Sequence, residues 1–209
     1  AALALFAWAM WACPGEGYNP FRSMLSLLGR TRVRGVEFPL CHYLFTCSLA
    51  LSAGVMAGFY PALSCFVRGA RHKRWLLWGG TLNAAGLLTI AFGPENVHGP
   101  LHNVGCVAAV AGGAVALLLL TPAKNNPRVS GFSRWAWLAW CGALVAVFEA
   151  FLLAHRFKLL PFSPYVPTCQ KLVILTFVAW IEYYAVLLYW RTRASAPVRV
   201  REPSLKPLA

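Results

Sequence analysis

The chain has 209 residues, of which 59% are hydrophobic and only 12% are charged. Soluble domains carry about 25% charged residues, so this composition excludes an ordinary water-soluble globule and favours a single membrane domain. The formal net charge is +13, from 19 Lys and Arg against 6 acidic residues. In a membrane protein such an excess predicts basic loops that meet anionic lipid, so membrane lipids are the expected partners and no nucleic acid is expected.

The first apolar segment, residues 1–13, covers about 20 Å as a helix, which is short of the roughly 30 Å hydrocarbon core of a bilayer. We interpret it as the outer part of a first span whose start lies before residue 1. The core of a signal peptide is the alternative, because such segments are also short and apolar.

The connection over residues 14–38 contains a predicted amphipathic helix. Asn19 suits the N-cap, Pro20 the first helical position and Gly29 the position just past the end. Apolar side chains recur at the i, i+3, i+4, i+7 spacing between these signals, so we expect a helix that lies in the membrane interface. Its apolar positions are Phe21, Met24, Leu25 and Leu28.

Five further apolar runs are long enough to cross a membrane: residues 40–65, 75–92, 101–120, 135–153 and 172–190. With the first, they predict an all-α polytopic membrane protein of six transmembrane helices, forming one bundle over residues 1–190. Residues 191–209 are predicted to form a basic cytoplasmic tail. Twelve of the 19 Lys and Arg residues fall on the side of this tail, which predicts that both termini are cytoplasmic.

The link between the third and fourth spans is unusually polar and contains two histidines four residues apart. We predict that it forms an outer polar cluster with the starts of the second and sixth spans. Capping of the fourth span is the structural interpretation. A zinc site formed by His42, His98 and His102, or haem between His42 and His102, is the chemical alternative, although no cofactor is expected. The cluster comprises His42, Glu95, Asn96, His98, His102, Asn103 and Gln170.

Two further groups of polar residues are candidate sites. Arginine side chains and free backbone N–H groups at the start of the interfacial helix would bind the phosphate of a lipid; the residues are Asn19, Arg22, Ser23, Ser26 and Arg30. Asn83, Glu149 and Glu182 lie within predicted spans, where a charge is costly. A hydrogen bond between Asn83 and Glu182 is expected, with a proton relay as the alternative.

Small residues recur every four positions on two of the spans. This spacing allows two helix backbones to approach closely, so we expect the second and fourth spans to be neighbours in the interior of the bundle. The positions are Ala50, Gly54 and Gly58 on the second span, and Gly105, Ala109 and Gly113 on the fourth.

Three short motifs carry a resemblance to a known family. They are Asn-Pro-Phe-Arg-Ser-Met-Leu-Ser-Leu-Leu-Gly-Arg at residues 19–30, Gly-Pro-Glu-Asn-Val-His-Gly-Pro-Leu-His at 93–102, and Cys-Gln-Lys at 169–171. Together they resemble the bacterial six-span membrane family called domain of unknown function 998, and more distantly the DRAM and Frag-like six-span proteins. Leu27 and Gly93 stand where the family has Asp and Phe. The resemblance implies the bacterial cytoplasmic (inner) membrane and brings no settled reaction.

These observations predict an integral membrane protein without established catalysis. It would bind lipid or another apolar ligand at its outer face, or act as an accessory subunit of a membrane complex. The first alternative is an intramembrane metal-dependent hydrolase that acts on lipid through the three histidines. The second is a proton-coupled transporter that uses Glu182; six spans without visible repeat symmetry match transporter designs poorly.

Overall fold

A computed structural model describes residues 2–12, 18–19, 22–33, 35–37, 39–65, 67, 69–120, 139–140, 142–143, 145–147, 149–151, 153–154, 157, 159 and 165–194. The described residues form helices, joined by loops, and one very short hairpin. The helices are α1 (Ala2–Ala12), α2 (Pro39–Ser64), α3 (Ala70–Phe92), α4 (Glu95–Leu120) and α5 (Tyr165–Ala194). Between α1 and α2 lie a 3₁₀ helix (Leu25–Gly29) and two antiparallel strands, β1 (Arg32–Val33) and β2 (Val36–Glu37).

Four helices of the described chain are long and apolar enough to cross a membrane: Pro39–Ser64, Ala70–Phe92, Glu95–Ala116 and Tyr165–Val186. They correspond to the second, third, fourth and sixth predicted spans. The helix α1 has 11 residues, which is shorter than a span. The predicted fifth span is described only in part, and its described residues from 139 onward are helical. The predicted tail beyond Ala194 lies outside the described residues.

The continuous amphipathic helix predicted between Pro20 and Gly29 is wrong. The backbone at Met24 is extended, with φ −63° and ψ 147°, and only the 3₁₀ helix follows it. The hairpin then reverses the chain at Gly35, whose φ of 82° is accessible to glycine at little cost. The first loop is therefore an irregular segment that packs on the bundle through tertiary contacts.

The helix α4 begins six residues earlier than the predicted span and is kinked. His98 adopts φ −128° and ψ 49°, and Pro100 follows two residues later. Proline cannot donate a backbone hydrogen bond, and its ring clashes with the carbonyl four residues earlier, here that of Asn96, which separates a short first turn from the main helix. The kink places Glu95 and Asn96 on a turn of their own.

The closest helix pair is α3 with α4, and the expected pairing of α2 with α4 through small residues is wrong. A Cβ on Gly86 would meet the backbone of Ala109, and one on Gly112 would meet the backbone of Asn83. In contrast, Gly54 on α2 has open space where a Cβ would be. Ala109 and Gly112 of α4 therefore accommodate α3, because small residues let the two backbones approach.

Two apolar clusters fill opposite halves of the bundle. One joins the second half of α2 to α3, α4 and α5, around Tyr60, Leu76 and Trp180. The other lies where α1 and the first loop pack against the first half of α2 and the last turns of α3, and it includes Leu28 and Phe45. We call this second end the loop end: α2, α4 and α5 begin there and α3 ends there.

Candidate functional site

The loop end contains a bidentate ion pair between Arg30 of the first loop and Glu95 of α4. The Arg30 guanidinium donates to both oxygens of Glu95, with N···O distances of 3.1 and 3.3 Å. The two side chains are 37% and 33% exposed, so solvent screens part of their attraction. Glu95 lies in the first turn of α4, where the helix dipole also favours a negative charge. The Ser26 side chain lies close to the same carboxylate.

A reciprocal pair of hydrogen bonds lies next to this ion pair. The Thr31 amide donates to Asn96 Oδ1 at 3.3 Å, and Asn96 Nδ2 donates to Thr31 Oγ1 at 3.0 Å. Asn96 therefore uses both ends of its amide on one residue of the first loop. The predicted polar residues at the start of α4 thus hold that loop in place.

The start of α5 holds the same loop from another side. Gln170 Oε1 accepts a 2.8 Å hydrogen bond from the Leu25 amide. Lys171 Nζ donates to the Ser23 carbonyl at 2.6 Å and lies 5.9 Å from the centre of the Tyr18 ring. The sequence identified Gln170 but gave Lys171 no role beyond its place in the Cys-Gln-Lys motif, because nothing local indicates that its side chain meets a carbonyl 148 residues away.

The three histidines occupy different environments. His42 Nδ1 donates to the Gly29 carbonyl at 2.8 Å, and His102 Nδ1 donates to the Gly93 carbonyl at 3.0 Å, since a carbonyl can only accept. His102 is buried, whereas His98 is exposed at the kink. Among the described residues, which include all three histidines, no three His, Cys, Asp or Glu side chains lie close enough to hold a metal ion.

The residues predicted to bind a phosphate are largely engaged with one another. The Asn19 side chain and carbonyl accept from the Arg22 amide at 3.1 Å each, and the Asn19 carbonyl also accepts from the Ser23 amide. The Asn19 amide in turn donates to Ser23 Oγ. Of the backbone N–H groups predicted to be free, near residues 19–21, that of Asn19 is therefore engaged, and residues 20 and 21 lie outside the described residues. The Arg22 side chain remains exposed, and no partner for its guanidinium is found in the described part of the chain.

The polar residues within the spans do not meet as expected. Asn83 Nδ2 donates to the Ala109 carbonyl on α4 at 2.7 Å, so the predicted bond from Asn83 to Glu182 is wrong. Glu182 is exposed on α5, and Glu149 is exposed on the partly described helical segment. Asn103 is exposed near the start of α4, and no hydrogen bond from its side chain to the first loop is found among the described residues. The polar side chains of the loop end therefore hold the first loop against α2, α4 and α5 through hydrogen bonds and one ion pair.

Comparison of the chain with protein-family models, with curated protein sequences and with solved structures finds no match. The resemblance to the domain of unknown function 998 family therefore stays a prediction, and the four apolar helices identify the chain only as compatible with an integral membrane protein.

Proposed function

We propose that this chain is a six-span protein of the bacterial cytoplasmic membrane, with both termini in the cytoplasm and no catalysis of its own. Its loop end would bind the phosphate of an anionic lipid, with Arg22 as the main contact. Such lipid binding is compatible with service as an accessory subunit of a membrane complex, the other role that the sequence suggests.

The observation that carries this proposal is that most polar side chains of the loop end have hydrogen-bond partners within the protein, whereas Arg22 is exposed. Arg30 and Lys171 each bond a carboxylate or a carbonyl, and the two inner histidine rings bond carbonyls. Arg30 and Lys171 are therefore less available to an outside anion than an exposed, unpaired side chain is. Arg22 differs because its guanidinium is exposed, is always charged and can donate two hydrogen bonds to the oxygens of a phosphate.

Exposed aromatic side chains near the loop end support a membrane–water boundary at the depth of Arg22. Trp11 near the end of α1 is 84% exposed, Tyr43 in the first turn of α2 is 64% exposed and Tyr165 at the start of α5 is 67% exposed. Trp and Tyr are enriched at membrane interfaces, where an apolar ring meets polar headgroups. Arg22, in the loop that these three helix ends surround, would then lie at headgroup depth.

The test compares two arginine substitutions in the same loop. Arg22→Gln removes the exposed guanidinium, whereas the control Arg32→Gln removes the same charge from an arginine that already pairs with Glu37. Native mass spectrometry would follow the binding of phosphatidylglycerol and of phosphatidylcholine to each protein. A basic side chain near a membrane surface contributes about 1 kcal/mol to anionic lipid binding, so we expect a roughly fivefold loss of phosphatidylglycerol binding for Arg22→Gln alone.

Two outcomes would contradict the proposal. The first is a wild-type protein that binds phosphatidylglycerol no better than phosphatidylcholine. The second is an Arg22→Gln variant that retains as much phosphatidylglycerol as Arg32→Gln does.

A further inference from the structure

Positive charge is concentrated at the end of the bundle opposite the loop end. Near its start, α3 has Arg71, His72, Lys73 and Arg74 in succession, and all four side chains are exposed. The helix contains no acidic residue, and no ion pair of these four side chains is found among the described residues. This surface therefore carries charge that nothing in the described part of the chain neutralises.

The length of α3 indicates the depth of this basic segment in a membrane. Its 23 residues correspond to about 35 Å, which exceeds the roughly 30 Å hydrocarbon core by about one helical turn. The first turn of α3 can therefore reach the lipid headgroups while the rest of the helix crosses the core. Two exposed tryptophans follow directly, Trp75 at 53% and Trp78 at 65% exposure. Tryptophan favours this boundary, where its ring meets both headgroups and acyl chains.

Two of the basic side chains share a helix face with the two tryptophans. Arg71, Arg74, Trp75 and Trp78 follow the i, i+3, i+4, i+7 spacing, which places them on one side of α3. Lys73 falls outside this spacing, although it lies in the same segment. We call the four residues at this spacing the α3 basic face.

The contacts of α3 show that this face points away from the bundle. Leu76 is fully buried on the other side of the helix. A Cβ on Gly79 would lie 3.0 Å from the Gly112 carbonyl of α4, and one on Gly80 would meet the Tyr60 ring of α2. The side of α3 that contacts α2 and α4 is therefore the one that Leu76 and the two glycines share. The α3 basic face lies toward the surrounding lipid.

We propose that the α3 basic face binds a phospholipid headgroup with two phosphates, as in cardiolipin. Side chains three residues apart on a helix are neighbours, so Arg71 and Arg74 form adjacent guanidinium forks that suit one phosphate each. Trp75 and Trp78 lie farther along the helix, toward the membrane core, and pack against the glycerol and the first acyl carbons. A phospholipid with a single phosphate engages only one fork and binds less tightly.

The tryptophans favour a lipid over a soluble anion or an acidic protein. Trp78 follows Arg71 by seven residues, or about 10 Å along the helix. A ligand that contacts both must combine negative charge at headgroup depth with apolar groups below it, and an anionic phospholipid has this arrangement. The site is separate from the one proposed at Arg22, because the two lie at opposite ends of the bundle.

The test follows binding of cardiolipin, phosphatidylglycerol and phosphatidylcholine to the full chain by native mass spectrometry. Every protein compared carries Arg22→Gln, so that the loop end does not contribute and the two proposals can fail independently. Arg74→Gln is expected to weaken cardiolipin binding about fivefold, and Arg71→Gln with Arg74→Gln about 25-fold, since a basic side chain at the headgroups contributes about fivefold. The matched control Lys73→Gln removes the same charge beside the face and is expected to stay within about twofold.

Inorganic pyrophosphate distinguishes a lipid from a free anion. In molar excess it is expected to leave cardiolipin bound, because it cannot contact the tryptophans. The proposal is overturned if cardiolipin binds no more tightly than phosphatidylglycerol or phosphatidylcholine, or if Lys73→Gln loses as much binding as Arg74→Gln, which would indicate diffuse attraction. Displacement of cardiolipin by pyrophosphate, or by a nucleic acid or protein that copurifies with the chain, would also overturn it.

Discussion

The ion pair between Arg30 and Glu95 should stabilise the docked first loop by a measurable amount. Both N···O distances of the ion pair are within hydrogen-bonding range, but each side chain is about one-third exposed. The stabilisation by the pair should therefore lie in the upper part of the free-energy range of surface ion pairs. We therefore expect a coupling energy of about 1 kcal/mol in a double-mutant cycle. The cycle would use Arg30→Gln, Glu95→Gln and the double variant.

The free energy of unfolding would be measured by denaturant titration in mixed micelles. Each single variant should lose about 1 kcal/mol, and the double variant should lose little more than one single variant, because the second substitution removes a group that has already lost its partner. The bonds between Thr31 and Asn96 keep the loop docked in all three variants, so the cycle compares like with like.

The pair between Arg32 and Glu37 is the matched control. It has the same two residue types and joins the two strands of the hairpin, but both side chains are 66% exposed. The equivalent cycle there should give a coupling energy of about 0.3 kcal/mol or less, since solvent screens the charges. Strictly additive losses of unfolding free energy for Arg30 and Glu95, or equal coupling energies at both ion pairs, would refute the conclusion that the Arg30–Glu95 pair holds the first loop against α4.

Three further predictions follow from the packing and the loop contacts. Gly112→Leu should prevent close packing of α3 on α4 and leave little folded protein, whereas Gly54→Leu should fold normally, as judged by size-exclusion chromatography and circular dichroism. Asn83→Leu should lower the free energy of unfolding by about 1 kcal/mol, because a buried hydrogen bond between α3 and α4 is lost. Gln170→Leu should raise hydrogen exchange at the Leu25 amide by about fivefold, because a hydrogen bond of about 1 kcal/mol protects it.

Each of these has an outcome that contradicts it. Equal yields of folded protein for the two glycine variants would mean that α3 and α4 are not in backbone contact. An Asn83→Leu protein as stable as wild type would mean that its amide bonds water or lipid instead. Unchanged exchange at Leu25, with the neighbouring Leu27 amide as the internal reference, would mean that α5 does not hold the loop.

Four of the predicted spans are found as long apolar helices in the described part of the chain. They could be predicted because length and apolar character are properties of single segments. It also predicted that Glu95, Asn96, His102 and Gln170 gather at one end, because consecutive antiparallel helices must begin and end at alternating faces. All four meet the first loop or the loop before α4 in the structure. The roles of these residues followed less directly, since a polar link is compatible with capping, metal binding or catalysis until partners are known.

The failures have a common physical cause, which is that tertiary contacts override local patterns. The helical spacing around Met24 and Leu25 is genuine, but Gln170 binds the Leu25 amide and Lys171 binds the Ser23 carbonyl, so these groups are not available to a local helix. Similarly, the small residues of α2 and α4 look alike in sequence. Only the three-dimensional arrangement shows that Gly105 and Ala109 of α4 meet Gly86 on α3, whereas Gly113 meets Phe177 on α5.

The central claim is that the first loop and the starts of α4 and α5 lie together at one end of a membrane-spanning bundle. Disulfide trapping tests it most directly, in a background without the native cysteines. Thr31→Cys combined with Asn96→Cys should cross-link rapidly within one chain under mild oxidation, because these side chains are in hydrogen-bonding contact. Thr31→Cys combined with Arg71→Cys, on the first turn of α3 at the opposite end, should not. Failure of the first pair, or equal cross-linking of both pairs, would contradict the account.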